Sequence, residues 1–267
     1  MQKIRLGIIG TGMAWERLHW PAIQELGDKY QVVAVCNRTK EDAVNFANSI
    51  NLGIENVYQD YREMLKRDDL DAVDVLVPIQ DNFEIAEAVI ESGKNLIAEK
   101  PLAATLEGAQ KLVELSRNKP VKVMVAENYR YNEENNIIKD IISQGRIGNV
   151  IYFIQNNMVD FKEEMKGNTF AATEWRQYPN YRDGTFLDAG IHDIAALRHI
   201  FGAVECVCAL GQPQQEDFSP YKSINAQILF KSGVIGQYNY TSHAKELQKP
   251  MVGFRVYGTQ GEIYLEE

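Results

Sequence analysis

Up to about residue 127 the chain alternates two textures. Short, nearly continuous runs of Val, Ile, Leu and Ala are separated by stretches whose apolar residues recur every three or four positions. The first texture reads as strand buried on both faces, the second as amphipathic helix. Their alternation predicts a parallel sheet with helical crossovers. Strands are expected at 4–9, 31–36, 72–77, 95–98 and 122–126, with a short extra one near 56–58. Helices are expected at 43–50 after Thr39, at 83–91 before the stop signal Ser92-Gly93, and at 106–117 after Thr105 as N-cap.

After Arg130 the pattern changes. One helix, 133–143, stops at Gly145, and a second, 186–201, follows a glycine turn. Strand-like runs cover 150–159, 204–210, 224–230, 234–241, 252–257 and 262–265, with Lys231-Ser232-Gly233 and Thr259-Gln260-Gly261 as hairpin turns. The fold class expected is therefore α/β. An N-terminal Rossmann domain, 1–127, precedes a C-terminal α+β domain, 128–267, with a large, mostly antiparallel sheet and helices on one face.

Composition narrows the partners. Of 267 residues, 45% are hydrophobic and 24% charged, enough apolar material for a sizeable core. The formal net charge is −9 and no Lys/Arg-rich run stands out, which argues against nucleic acid as a partner. No apolar run approaches ~18 residues and the N-terminus lacks the layout of a signal peptide, so a cytoplasmic protein without a membrane span is expected. Cys36, Cys206 and Cys208 are an odd set, two of them at i, i+2, and read as buried small hydrophobes in a reducing compartment rather than a disulfide framework.

Gly10-Thr11-Gly12 lies between a strand and a helix, the setting in which a glycine turn binds a dinucleotide. The first glycine permits the turn. The second lets the backbone approach a pyrophosphate on the helix N-terminus. The third position, usually Gly or Ala, is Trp15, and Ala14 comes one place early, so the helix must start differently or sit further out. The second strand ends in Asn37-Arg38-Thr39, with no acid to accept a ribose 2′-OH. Arg38 can grip a 2′-phosphate, which favours NADP over NAD or permits both; a solvated loop charge is the other reading.

Glu99-Lys100-Pro101 stands at the carboxyl end of a strand, where open α/β sheets bind ligands. A lysine there can donate to a substrate oxygen and stabilise alkoxide charge, and Pro101 permits a cis bond. Asp188 and His192 are at i, i+4 and share a helix face. Histidine titrates near pH ~6.5 and can take a proton at neutral pH, with the aspartate biasing its orientation. Of the other histidines, His19 reads as structural, His199 is the rival on the same helix, and His243 gives no signal.

Together these residues resemble the Gfo/Idh/MocA oxidoreductase family, which includes glucose–fructose oxidoreductase and inositol 2-dehydrogenase. The resemblance runs through Gly7-Ile8-Ile9-Gly10-Thr11-Gly12, His19-Trp20-Pro21-Ala22, Glu99-Lys100-Pro101-Leu102, Tyr129-Arg130-Tyr131, Gly145-Arg146-Ile147-Gly148, Trp175-Arg176 and the stretch from Phe186 to Gly202. It implies a site built from both domains. Lys100 would polarise or relay, Asp188 orient, and His192 act as general base. The cofactor set would be Gly10, Thr11, Gly12, Met13, Ala14, Asn37, Arg38, Pro78, Asn82, Glu99 and Lys100. Tyr129, Asn157, Trp175 and Arg176 would contact substrate, with no metal. Asn82 replaces a histidine often found in that loop, and Ala195 stands where an acid often follows the catalytic histidine. Members usually continue past the equivalent of Glu267, so a C-terminally truncated chain is expected.

The expected activity is NAD(P)-dependent hydride transfer to or from a secondary alcohol of a sugar, cyclitol or related polyol, by a homo-oligomer, dimer or tetramer. A non-catalytic dinucleotide-binding sensor and a redox-assisted glycoside hydrolase are the alternatives.

Overall fold

The computed structural model describes residues 2–245 and 252–266. The chain divides into two compact units, Met1–Ala126 and Glu127–Glu267.

The first unit runs β1 (Ile4–Ile9), α1 (Trp20–Glu25), β2 (Tyr30–Cys36), α2 (Lys40–Ser49), β3 (Val57–Tyr58), α3 (Tyr61–Leu65), β4 (Ala72–Val75), α4 (Ile79–Glu91), β5 (Asn95–Glu99), α5 (Leu106–Arg117) and β6 (Val123–Ala126). Among the described residues the strands pair in parallel in the order β3-β2-β1-β4-β5-β6. Alternate residues enter two separate cores, as the two-residue period of a strand requires. Leu6, Ile8, Val35 and Ala72 pack on one side with Trp15, while Ile9, Ala34, Cys36, Val73 and Val75 pack on the other. The order reverses beside β1, and the carboxyl ends of β1 and β4 there form the crevice position of such sheets.

Two local differences from expectation have clear causes. α4 starts at Ile79 rather than Phe83, because Pro78 at its N-cap already supplies the entry geometry and accepts from Asp81 N at 2.8 Å. α2 starts at Lys40, directly after Thr39, whose side chain makes no capping bond; Thr105 does cap α5, accepting from Gly108 N at 3.0 Å.

The second unit opens with a 3-10 turn, Asn128–Tyr131. It continues with α6 (Glu133–Ser143), β7 (Val150–Met158), α7 (Phe161–Glu164), α8 (Glu174–Gln177), α9 (Gly184–Phe201), β8 (Val204–Pro213), β9 (Tyr221–Phe230), β10 (Ile235–Thr241), β11 (Val252–Gly258) and β12 (Glu262–Glu266). Among the described residues the strand order is β12-β11-β7-β10-β9-β8. Every pairing is antiparallel except β7 with β10. Ile138 of α6 and Leu197, Ile200 and Phe201 of α9 pack on Phe153, Phe230, Tyr238 and Val256 of the sheet. The opposite face carries polar rows, including an asparagine ladder in which Asn225 donates to Asn239 and Asn239 to Asn156, each at 2.9 Å.

The cysteine reading holds for Cys36 alone. Cys206 and Cys208 are exposed, because β8 is an edge strand lying open along nearly its whole length.

Candidate active site

In the first unit, Gly10 ends β1 at φ +96°, and a Cβ there would lie 2.1 Å from the Leu76 carbonyl oxygen. Only glycine fits that turn. A Cβ on Gly12 would meet nothing within 4 Å, so the loop is open on the side from which a pyrophosphate approaches the helix N-terminus. Asn37 donates to Thr11 Oγ1 at 2.6 Å and accepts from Thr39 N at 3.0 Å, tying the end of β2 to the glycine turn. Arg38 is exposed beside it. This donor set and open backbone fit a dinucleotide.

Trp15 in place of a small residue is accommodated by a π-helical turn, Trp15–His19, ahead of α1. The widened turn swings Trp15 fully inward, with its ring 5.6 Å from Trp20 and 5.0 Å from Phe46, centroid to centroid. The same turn aims His19 at two acids. Its Nδ1 lies 2.8 Å from Asp74 Oδ2 and its Nε2 lies 3.0 Å from Glu99 Oε1. Burial alone would lower the His19 pKa, but the hydrogen bonds to Asp74 and Glu99 outweigh it and push it up to about 10. Burial likewise pushes the Asp74 carboxyl up, against the pull of His19.

Lys100 follows directly, with a cis bond to Pro101. Its backbone N–H donates to Glu99 Oε2 at 3.0 Å. Asn82 is buried in α4, and its amide donates to the carbonyls of Glu99 and Pro101 at 3.2 and 2.9 Å. Asn82, expected among the cofactor contacts, uses its amide hydrogens to clasp the lysine turn.

In the second unit, His192 of α9 and Glu127 meet, with Nδ1 to Oε1 at 2.8 Å. The same Oε1 accepts from Tyr129 N at 2.9 Å, and the Tyr129 ring stacks on the imidazole, 4.4 Å between centroids at 24°. The expectation that Asp188 orients His192 gives way here: the carboxylate on Nδ1 is Glu127. Asp188 is buried, and its Oδ2 accepts from Arg176 Nε at 2.6 Å. Arg176 also donates to the Phe170 carbonyl and Thr173 Oγ1 at 3.2 and 3.3 Å, and lies 4.0 Å over the Trp175 ring. Arg176, stacked on Trp175, therefore holds Asp188 through its Nε and the Phe170–Thr173 turn through its Nη1.

Asn157 donates to Asp193 Oδ2 at 2.7 Å, and Tyr238 donates to the same oxygen at 2.8 Å. Its amide nitrogen is likewise engaged within the unit. Sequence reasoning missed Glu127, Asp193 and Asp74, while His19 keeps the structural reading it had. Only two carried a signal: Asp193 directly follows His192, and Asp74 interrupts an otherwise apolar strand. Among the described residues no His, Cys, Asp and Glu group is placed to hold a metal, and no helix is long and apolar enough to cross a membrane.

Residues 4–127 match the family described as an oxidoreductase family with an NAD-binding Rossmann fold. Residues 136–264 match the GFO/IDH/MocA C-terminal domain. An uncharacterised protein of Saccharomyces cerevisiae is 33% identical over 267 residues, covering 100% of this chain and 75% of its own length. The NADP-dependent scyllo-inositol 2-dehydrogenase of Bacillus subtilis is 28% identical over 81% of this chain and 57% of its own. A solved levoglucosan dehydrogenase in complex with NADH and L-sorbose superposes with a TM-score of 0.84 at 25% identity, over 100% of this chain and 74% of that one.

Proposed function

The chain belongs to the GFO/IDH/MocA oxidoreductase family, and from that premise we propose that it moves hydride between NADP, or NAD, and a secondary alcohol or ketone of a sugar, cyclitol or related polyol. The observation that carries the reading is His192, an imidazole whose Nδ1 is fixed by Glu127 and whose face is covered by Tyr129. With the Nδ1 proton directed to a carboxylate, Nε2 is the basic nitrogen.

In oxidation, His192 Nε2 takes the hydroxyl proton while the carbon-bound hydrogen leaves as hydride. A bound nicotinamide supplies the hydride acceptor. Lys100 would donate to a substrate oxygen and stabilise negative charge that develops on it. Glu127 stabilises the imidazolium that forms, as a carboxylate behind a general-base histidine does. Asp188, held by Arg176, and Tyr129 contact substrate hydroxyls. Gly10, Thr11, Gly12, Met13 and Ala14 would hold the pyrophosphate, and Pro78 and Glu99 would lie toward the nicotinamide. Asn37 and Arg38 would meet the adenosine ribose, with Arg38 able to bind a 2′-phosphate. The chemistry of the inositol and levoglucosan relatives supports the substrate class.

The protein works in the cytoplasm as a homo-oligomer, dimer or tetramer. The sheet face opposite α6 and α9 supports assembly, since it presents Ile235, Tyr264 and Leu210 alongside its polar rows.

The test follows nicotinamide absorbance over a panel of polyols and their ketones, with wild type and His192→Ala. Turnover is expected, with kcat lowered by about 10²–10⁴ in the variant and dinucleotide affinity preserved. Silence across the panel, or a variant of near-normal rate, overturns the reading.

A further inference from the structure

The buried charges of the first unit converge on one imidazole. His19 sits at the end of the π-helical turn that begins three residues after Gly12. Asp74, at 1% exposure, lies in the middle of β4, where it faces Ile8 and Ile97 across the sheet. Glu99 is the last residue of β5. Each ring nitrogen of His19 meets a carboxyl oxygen, at 2.8 and 3.0 Å. A neutral imidazole has one N–H and one lone pair, and its lone pair cannot face a carboxylate oxygen at hydrogen-bond distance without repulsion. The cluster therefore holds one proton more than a neutral ring and two carboxylates.

That proton serves a geometric end. Glu99 uses Oε1 for His19 and Oε2 for the backbone N–H of Lys100. The orientation that lets it hold Lys100 is thus fixed from behind by the imidazolium. Without His19, Asp74 and Glu99 would be two acids left without their shared cationic partner, in a site whose burial penalises each unpaired charge. Asn82 holds the carbonyls on either side of the same turn.

We propose that His19 is a positioning residue, whose bridge from Asp74 to Glu99 fixes the backbone that carries Lys100 and ties it to the helix on which the dinucleotide rests. The role of Lys100 rests on the function proposed above; the bridge itself does not.

Two measurements on the whole chain need no substrate. With 15N-labelled histidine, both ring nitrogens of His19 should be protonated at pH 7.5. A single unprotonated nitrogen there, with both acids ionised, overturns the bridge. Amide hydrogen exchange then tests the positioning. In His19→Gln, which keeps a donor but cannot reach both acids, exchange at Lys100 N–H should accelerate about tenfold or more while the Ile8 amide keeps its protection. Unchanged protection at Lys100 overturns the proposal. Should His19→Gln not fold, Glu99→Gln removes one acceptor charge at the same bridge and should loosen the same amide.

Turnover supplies the third measurement. kcat should fall at least about tenfold in His19→Gln, with dinucleotide affinity changed less than about threefold. Equal losses in both would mark His19 as a general fold element and overturn the assignment. Absence of any polyol turnover in wild type would overturn the functional reading alone, because the ring-nitrogen and exchange results stand without it.

Discussion

Glu127 Oε1 and His192 Nδ1 lie 2.8 Å apart although 65 residues separate them in sequence. The contact makes the first residue of the second unit the partner of the proposed base. Glu127→Gln keeps the shape and removes the charge behind the ring. An amide can also turn its NH₂ toward Nδ1 and select the wrong tautomer. kcat should fall by about 10–100-fold or more, the range seen when groups that orient a histidine are lost, with dinucleotide binding unaffected. Steady-state kinetics alongside fluorescence titration of the reduced cofactor checks both halves.

Arg38 is the residue proposed to set the choice of dinucleotide. Arg38→Ala should weaken NADPH by about tenfold, roughly 1.4 kcal/mol, because a charge-assisted contact to the 2′-phosphate disappears. NADH, which has no such phosphate, should bind as before. Parallel titrations decide the matter: an equal effect on both cofactors would place Arg38 elsewhere.

Gly10→Ala should be among the most damaging single-methyl additions in the first unit. The new Cβ would come 2.1 Å from the Leu76 carbonyl oxygen at φ +96°. The backbone term alone is worth about 1–3 kcal/mol, and the clash adds to it. Urea unfolding should show a lower midpoint with an unchanged slope, while Gly12→Ala, which meets no neighbour within 4 Å, should unfold near the wild-type midpoint.

Stability should decline on the alkaline side. His19 is raised to about 10 and the Asp74 carboxyl is raised by burial, so the native state binds more protons than the unfolded chain. Stability falls with rising pH wherever that holds. The His19 contribution is complete below its ordinary value of 6.5 and is lost as pH climbs toward 10. Unfolding midpoints measured between those limits should drop steadily, and His19→Gln should flatten the profile. On the acid side the hydrogen bond from Arg5 holds Asp71 down at about 2, so its small, largely exposed contribution is present above 3.8 and lost as pH falls toward 2.

The fold was legible because hydrophobic period carries it. The parallel half follows from runs such as Ile4–Ile9, whose alternate residues fill two cores, and the second half from β9 and β10, where every other residue enters one core. Local backbone was legible where a motif fixed it, as with the turn at Gly10 and the proline bond after Lys100. Partnerships were not. Spacing pointed to Asp188, four residues before His192, and gave no reason to look to Glu127, 65 residues away. The contact is set instead by the 3-10 turn at Asn128–Tyr131, which folds Glu127 back onto α9. Trp15 shows the same limit. Its bulk told of an altered helix start, yet a π-helical turn leaves no mark in apolar spacing.

The parallel pairing of β7 and β10 has a consequence for how the second unit is made. The strands flanking β7 in the described sheet, β10 and β11, both come later in the chain, and the Asn156–Asn239 contact closes 83 residues. During synthesis β7 emerges long before anything it can pair with. The hairpins β8–β9 and β9–β10 close locally, but the unit cannot knit together until β10 has left the ribosome. A domain assembled around such distant partners folds slowly and keeps an unpaired, aggregation-prone strand in the nascent chain. The first unit, by contrast, brings each of its central strands a neighbour within one crossover. The chain is thus born with a dinucleotide domain able to fold while its proposed catalytic base is still waiting for a sheet.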